Sequence, residues 1–463
     1  MNSLSGRLAN VSVARLSATV GSVCVFIALG CGQYQPGIIE DDTISTETNQ
    51  LQNIIPHETL PASNAWIAVT ERMVRYQWQE KRVIDAMPPI PIPREWSVTT
   101  PGSLGSSAMF PSTLVDALGR RLTLTTSTSP QWLYKKPNTT TMVQIGMTAQ
   151  VEAANPNDSS MWYRVSSDGG ATFSPFKPMV QNGRTALSPF PGIKLGVNGI
   201  WASVATLSEV SNGTLLVPVS YWPLDGRGLP TVPSQPVSYS VNAVLIGTWN
   251  NKNTDLTWRL SDRTMISEQL STRGLIEPAI LELKSQPGRI LMISRGSNIN
   301  RPDLPSRKWK SISTDYGMSW SAPSPFCYDT ASCFYSPSSS SDLIRGPNGR
   351  AYWIGNIVGS NVQGNEQRNI LVIGEVDEMK LALRLGTVTY IDSPSPIYDT
   401  SHVQIQGVTT YSDVLTSTLV IYHRRLDTGL PPPYNSQNPP INWYRIGFFD
   451  PSVTPRPVAP REL

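Results

Sequence analysis

Residues 313–320 read Ser-Thr-Asp-Tyr-Gly-Met-Ser-Trp, and residues 166–173 carry an earlier copy, Ser-Ser-Asp-Gly-Gly-Ala-Thr-Phe. Both fit Ser-x-Asp-x-Gly-x-(Ser/Thr)-aromatic, and each follows a short strand-like run. The pattern describes a tight hairpin. The Asp side chain accepts backbone N–H groups across its own turn, Gly takes a conformation that a side chain would forbid, and the aromatic packs into a sheet. Residues 251–258, Asn-Lys-Asn-Thr-Asp-Leu-Thr-Trp, are a degenerate third copy. Phe173, Trp258 and Trp320 stand 85 and 62 residues apart, a spacing that predicts repeated four-stranded sheets.

Composition agrees with that architecture. Only 15% of the 463 residues are charged, well below the usual quarter or so, while Pro (40) and Gly (33) are plentiful. Strand-like runs and turn signals recur from about residue 100 with no long amphipathic helix between them, which excludes the α/β folds. No Gly-rich phosphate loop, His-Glu-x-x-His or Gly-x-Ser-x-Gly is present. A formal net charge of +3, with no basic cluster interleaved with aromatics, gives no footprint for nucleic acid.

The N-terminal 31 residues read as a targeting segment. Arg7 and Arg15 supply the positive region, and an apolar, small-residue run ends at Cys31. Ala28-Leu29-Gly30-Cys31 looks like a bacterial lipobox with its order altered, so Cys31 is the expected lipidation site, and the protein is expected to be exported and membrane-tethered through that lipid alone, or else secreted. Residues 32–95 are expected to be a linker and N-terminal extension, and 96–463 the folded domain. Within the extension, residues 65–82 have a short helical look; the segment is expected to pack on the rim or to contribute a closing strand. Cys327 and Cys333, the two cysteines beyond the targeting segment, are expected to pair in an exported chain. With three His in all and none near them, no metal or cofactor is expected.

The repeated octapeptide resembles the Asp-box of the sialidase (BNR-repeat) superfamily, which implies an all-β, six-bladed β-propeller; six blades of roughly 60 residues absorb about 360. In that family the box joins the third and fourth strands of a blade, away from the active site, so Asp168 and Asp315 are expected to be structural. Three other segments resemble the family's site. Residues 276–283 and 288–295 are similar to the unit in which a Glu, here Glu277, assists the nucleophile and an Arg, here Arg295, binds the substrate carboxylate. Residues 365–373 are similar to the segment carrying a further carboxylate-binding Arg, here Arg368. Thr410-Tyr411-Ser412-Asp413 is similar to the unit whose Tyr is the nucleophile, which assigns that role to Tyr411, with Tyr398 as the runner-up.

The chemistry suits a sialoside, whose anomeric carboxylate repels an anionic nucleophile and favours a neutral phenol activated by Glu. Planar guanidinium forks bind that carboxylate at two points. Two positions depart from the family. Met109 stands where the first of three arginines belongs, and Asp158, the candidate acid, lies only eight residues before Ser166, with Glu152 the other carboxylate nearby. Trp201, Tyr221, Trp222 and Trp353 are candidates for stacking on sugar rings, against core packing as the default. The resemblance thus implies an exo-glycosidase on terminal sialic acid or a related acidic sugar; a glycosidase on another glycan and a non-catalytic glycan- or protein-binding propeller stay open beside it. One expectation is checked directly: intact-mass spectrometry of the native protein should find a mature N-terminus at a lipid-modified Cys31, and an unmodified N-terminus elsewhere removes the anchor.

Overall fold

The computed structural model describes residues 67–74, 114–115, 121–124, 133–136, 139–150, 159–169, 172–202, 208–231, 238–394, 399–413, 418–430 and 441–448. Runs that are apolar at nearly every position become strands buried on both faces. Leu215–Tyr221, Ile290–Arg295, Ala351–Asn356 and Leu371–Asp377 are buried along their whole length. Side chains alternate across a strand, so such a strand has to lie between two neighbouring layers.

The described residues form five antiparallel sheets. The first contains Met142–Gln150 and Ser160–Ser166, and the second Leu215–Tyr221, Val241–Trp249 and Leu256–Leu260. Ile276–Glu282, Ile290–Arg295, Lys308–Ser313 and Ser324–Pro325 make the third; Asp342–Arg345, Ala351–Asn356, Leu371–Asp377 and Ala382–Leu383 lead the fourth. Val403–Asp413, Thr418–Asp427, Ile441–Phe448 and Ile67–Val74 make the fifth.

Alternation along each strand welds consecutive sheets together. Leu215, Val217 and Val219 pack with Val143, Ile145 and Tyr163 of the first sheet, whereas Leu216 packs with Ile280, Ile290 and Met292 of the third. Leu291 and Ile293 point the other way, into a core with Trp353 and Val372 of the fourth sheet. Tyr352, Ile354, Leu371 and Ile373 then meet Ile405, Leu419, Ile421 and Tyr444 of the fifth. Four cores therefore link five sheets face to face in chain order, as blades of a propeller stack. The all-β class holds; the described residues supply five sheets where six blades were expected.

Two expectations change here. The 65–82 segment does not fold as a helix over its core: Ile67–Val74 is a strand, antiparallel to Ile441–Phe448. That strand would otherwise present an open edge, and its hydrogen bonds outweigh a weak local helical preference. The closing-strand alternative is the one realised, so the sheet domain begins well before residue 96. The second change concerns the worn copy at 251–258. There Asn250, one residue earlier, takes the role of the turn Asp, with its Oδ1 accepting the N–H of Lys252 (3.2 Å) and of Thr254 (2.9 Å). Trp258 lies in the following strand, its ring against Gly247.

The two intact boxes are built alike. The Asp315 carboxylate accepts the Ser313 hydroxyl at 2.7 Å, the Ser319 N–H at 2.9 Å and the Ser319 hydroxyl at 2.5 Å. Asp168 accepts the Ser166 hydroxyl at 2.7 Å, the Thr172 N–H at 2.9 Å and the Thr172 hydroxyl at 2.6 Å. Gly317 is required at φ 86°, where an L side chain is strained. The expected disulfide, Cys327–Cys333, is formed, with Cα atoms 4.2 Å apart. Replacing Asp315 by Ala removes the carboxylate that accepts three hydrogen bonds in one exposed turn. Chemical denaturation should show a loss of about 1–2 kcal/mol, and a variant as stable as wild type would show the box to be dispensable.

Candidate functional site

The end of the third sheet opposite the Asp315 turn carries a cluster of charge. Pairing of Ile276 with Arg295, and of Arg295 with Lys308, brings Glu277, Arg295 and Lys308 to that end. The register slips between Ile276 and Ala279, and Glu277 is pushed out of the ladder with φ 50°. Such a conformation is costly for a non-glycine residue and needs support from its surroundings. Support comes from a buried chain of polar groups. Ser220 Oγ accepts the Glu277 N–H at 3.0 Å and donates to Asn242 Oδ1 at 2.9 Å, while Asn242 Nδ2 donates to Ser294 Oγ at 2.8 Å.

Arg295 is held at all three donor positions. Its Nη1 reaches Glu277 Oε2 at 2.8 Å, its Nε reaches Ser338 Oγ at 2.9 Å, and its Nη2 reaches Asn365 Oδ1 at 3.3 Å. Arg368, from the loop between Ala351–Asn356 and Leu371–Asp377, converges on the same groups. Its Nη2 donates to Asn365 Oδ1 and to the Ser338 carbonyl, and its Nη1 donates to Gln406 Oε1 at 2.5 Å. Asn365 therefore bridges two guanidinium groups. The fully buried Lys308 donates to the Pro337 carbonyl (3.2 Å), the Ser339 carbonyl and Ser339 Oγ (3.3 Å), which fixes the segment that presents Ser338.

The electrostatics record crowded cations. Burial would raise the pKa of Glu277, but the charge and hydrogen bond of Arg295 outweigh it and hold the carboxyl below its ordinary value. Burial, then the Arg295 charge, push Arg368 down to about 9 and Lys308 well below the usual lysine range. Arg273, four residues before Glu277, is lowered by burial and by Arg295 as well. Among the described residues no group of three His, Cys, Asp or Glu forms a metal site. What the arrangement can do is bind an anion: its guanidinium groups are desolvated and outnumber the one carboxylate among them.

Glu277, Arg295 and Arg368, singled out from sequence, thus meet in one recess. Tyr411 lies on the strand Val403–Asp413, which also carries Gln406 and Thr410. Gln406 touches Arg368, whereas Thr410 donates to Asp342, four residues beyond Ser338. Tyr411 follows Thr410 and pairs with Val420. Its side chain lies outside the described ones, as do Cys31, Glu152, Met109, Asp158 and Tyr398 altogether. Tyr221 and Trp353 are core residues, 4% and 0% exposed, so neither stacks on a ligand, while Trp201 and Trp222 are half-buried. Sequence reasoning missed Arg273, Lys308, Ser338, Asn365 and Gln406. A lysine within an otherwise strand-like run, and an Asn three residues before Arg368, were the available signals.

The BNR repeat-like domain family matches residues 111–383, more than half of the chain, and the protein belongs to that family. No curated protein matches the sequence. Among solved structures, the NanB sialidase of Streptococcus pneumoniae is similar at 14% identity and a TM-score of 0.41, covering 73% of this chain and 47% of that one. The Trypanosoma rangeli sialidase is similar at 13% identity and a TM-score of 0.33, covering 72% and 57%. A protein of unknown function from Dyadobacter fermentans is similar at 12% identity and a TM-score of 0.33, covering 69% and 95%. The chain spans about half the length of the sialidases it matches.

The Glu277–Arg295 pair generates a pH-dependent prediction. Because the folded state lowers the Glu277 pKa, the stability it supplies is complete above the ordinary carboxylate value and is lost as pH falls through the lowered one. Glu277→Gln should cost about 1.5–3 kcal/mol at neutral pH. The gap to wild type should narrow as the pH is taken below about 4. Denaturation curves across pH check this; a gap independent of pH would assign the loss to packing.

Proposed function

We propose that this protein recognises an acidic sugar, a glycan unit bearing a carboxylate, in the recess lined by Arg295 and Arg368. The observation that carries the reading is the convergence of two nearly buried guanidinium groups, 8% and 7% exposed, on the single amide oxygen of Asn365. Two cations held side by side on one oxygen offer donors to the two oxygens of a carboxylate. Their desolvation is a standing cost that an anionic ligand offsets. Membership of the BNR repeat-like family supports a glycan as the ligand class.

A second reading, hydrolysis of a sialoside or related glycoside, is favoured by Glu277. Its strained backbone and its place beside Arg295 suit a carboxylate poised to act on a neighbouring group. The nucleophile that this reaction needs is not among the described side chains of the recess.

Calorimetric titration with sialyllactose and with lactose separates the readings from a non-glycan role, and release of a fluorescent aglycone separates binding from turnover. The acidic sugar should bind and lactose should not. Arg368→Gln should weaken binding roughly ten- to a hundredfold, the value of a charge-assisted contact. Equal affinity for both sugars would sink the proposal. Turnover abolished by Tyr411→Phe would install the hydrolase reading, with Tyr411 as nucleophile.

A further inference from the structure

Arg273 is the cation in this recess that neither the family resemblance nor the pairing of strands accounts for. The turn that carries it is rigid. Thr272 N–H donates to the Ser297 carbonyl at 2.8 Å, and Ser271 Oγ accepts the Ser297 N–H at 2.9 Å while donating to the Gly274 carbonyl at 2.6 Å. Ser240 N–H donates to the Arg273 carbonyl at 3.0 Å, and Leu275 N–H returns a bond to the Ser240 carbonyl at 3.0 Å. Gly274 stands at φ 66°, where an added Cβ would come within 2.1 Å of the Ser240 carbonyl oxygen. The backbone is therefore fixed over the ends of the strands that bear Arg295 and Glu277.

The side chain, by contrast, is poorly matched by its surroundings. Its Nη2 donates to Ser238 Oγ at 3.3 Å, and its Nε is buried with no hydrogen-bond partner among the described residues. Arg368 Nε is in the same condition. Arg273 feels the charges of both Arg295 and Glu277, and its own charge reaches Arg368. Among the described residues these three arginines face one carboxylate, Glu277, which is already hydrogen-bonded to Arg295. Arg295 and Arg368 share the Asn365 oxygen, whereas the Arg273 side chain, on its own turn, has only the neutral Ser238 hydroxyl as a hydrogen-bond partner among the described residues.

We infer that the recess takes a sugar carrying two acidic groups, one held between Arg295 and Arg368 and the second met by Arg273. The inference rests on the acidic-sugar reading and deepens it, making Arg273 the residue that selects a dianion over a monoanion. A rigid turn loses little entropy on engaging a ligand, so the contact is preorganised.

The test uses uronate disaccharides that differ only in the presence and ring position of one sulfate ester, titrated calorimetrically into the full chain. At least one sulfated isomer should bind roughly ten- to a hundredfold more tightly than the unsulfated disaccharide. Arg273→Gln should weaken the sulfated isomer far more than the unsulfated disaccharide; Arg273→Lys should restore part of the difference. Arg368→Gln should weaken both ligands. Equal binding of all sulfated isomers and the unsulfated form by wild type overturns the inference while leaving the acidic-sugar reading standing. So does an Arg273→Gln variant that weakens both ligands equally. Absence of binding to every disaccharide overturns the inference, and absence of binding to sialyllactose as well removes the acidic-sugar reading with it. The wild-type comparison needs no variant to fold.

Discussion

Burial of the blades on both faces is the constraint from which the rest of this structure follows. A strand such as Ile290–Arg295 sends alternate side chains into two different cores, so no position along its middle is open to water or to a ligand. Charge can be placed only where strands end. In the third sheet one end carries the Asp315 turn and the other carries Glu277, Arg295 and Lys308. The two ends use their charges differently. Beside the turn end, Arg345 reaches Glu378 at 2.7 Å and the Glu282 carbonyl at 2.7 Å, a local tie between neighbouring blades. At the opposite end cations accumulate around one carboxylate.

Two arginines of nearly equal burial show what that difference means. Arg425 is 5% exposed and Arg368 is 7% exposed. Burial works against the charge of both. Around Arg425, Asp392 accepts two hydrogen bonds at 2.8 Å and Asp399 accepts another, and together they hold its pKa above the ordinary value. Around Arg368 the neighbours are an amide, a carbonyl and another guanidinium, and its pKa falls. The first arginine is a finished structural element of the fifth sheet. The second is left with an electrostatic deficit that the fold tolerates at a cost, and perturbed groups of that kind concentrate at functional sites.

How much of this was legible in the sequence depended on how locally each feature is encoded. The Asp168 and Asp315 turns close over four residues, so their chemistry reads directly from the octapeptide. Glu277 and Arg295 were legible as a pair because one hairpin brings them together. Arg368 came with a segment that the resemblance covers. Arg273 and Ser338 lie on two different connections and Gln406 on a strand of the fifth sheet, and they meet the recess only through the packing of blades, which no short window of sequence contains. Residues 65–82 misled for a related reason: the partner of Ile67–Val74 lies almost the whole chain away, in Ile441–Phe448.

Gln406 shows how register, beyond any motif, decides which side chain a strand delivers. The Tyr-Ser-Asp triplet is present, but where a strand places a side chain depends on its distance from the turn and on any bulge in between. Val403–Asp413 slips in register between Gln406 and Thr409, and the ladder ends at the pairing of Asp413 with Thr418. Gln406 is consequently the residue delivered to Arg368, and four residues on Thr410 donates to Asp342, the first residue of Asp342–Arg345. An amide at that position can hold a guanidinium in place but cannot attack an anomeric carbon. The recess is thus built to hold an anion, with amide and carbonyl oxygens fixing Arg368 and with Glu277 beside Arg295.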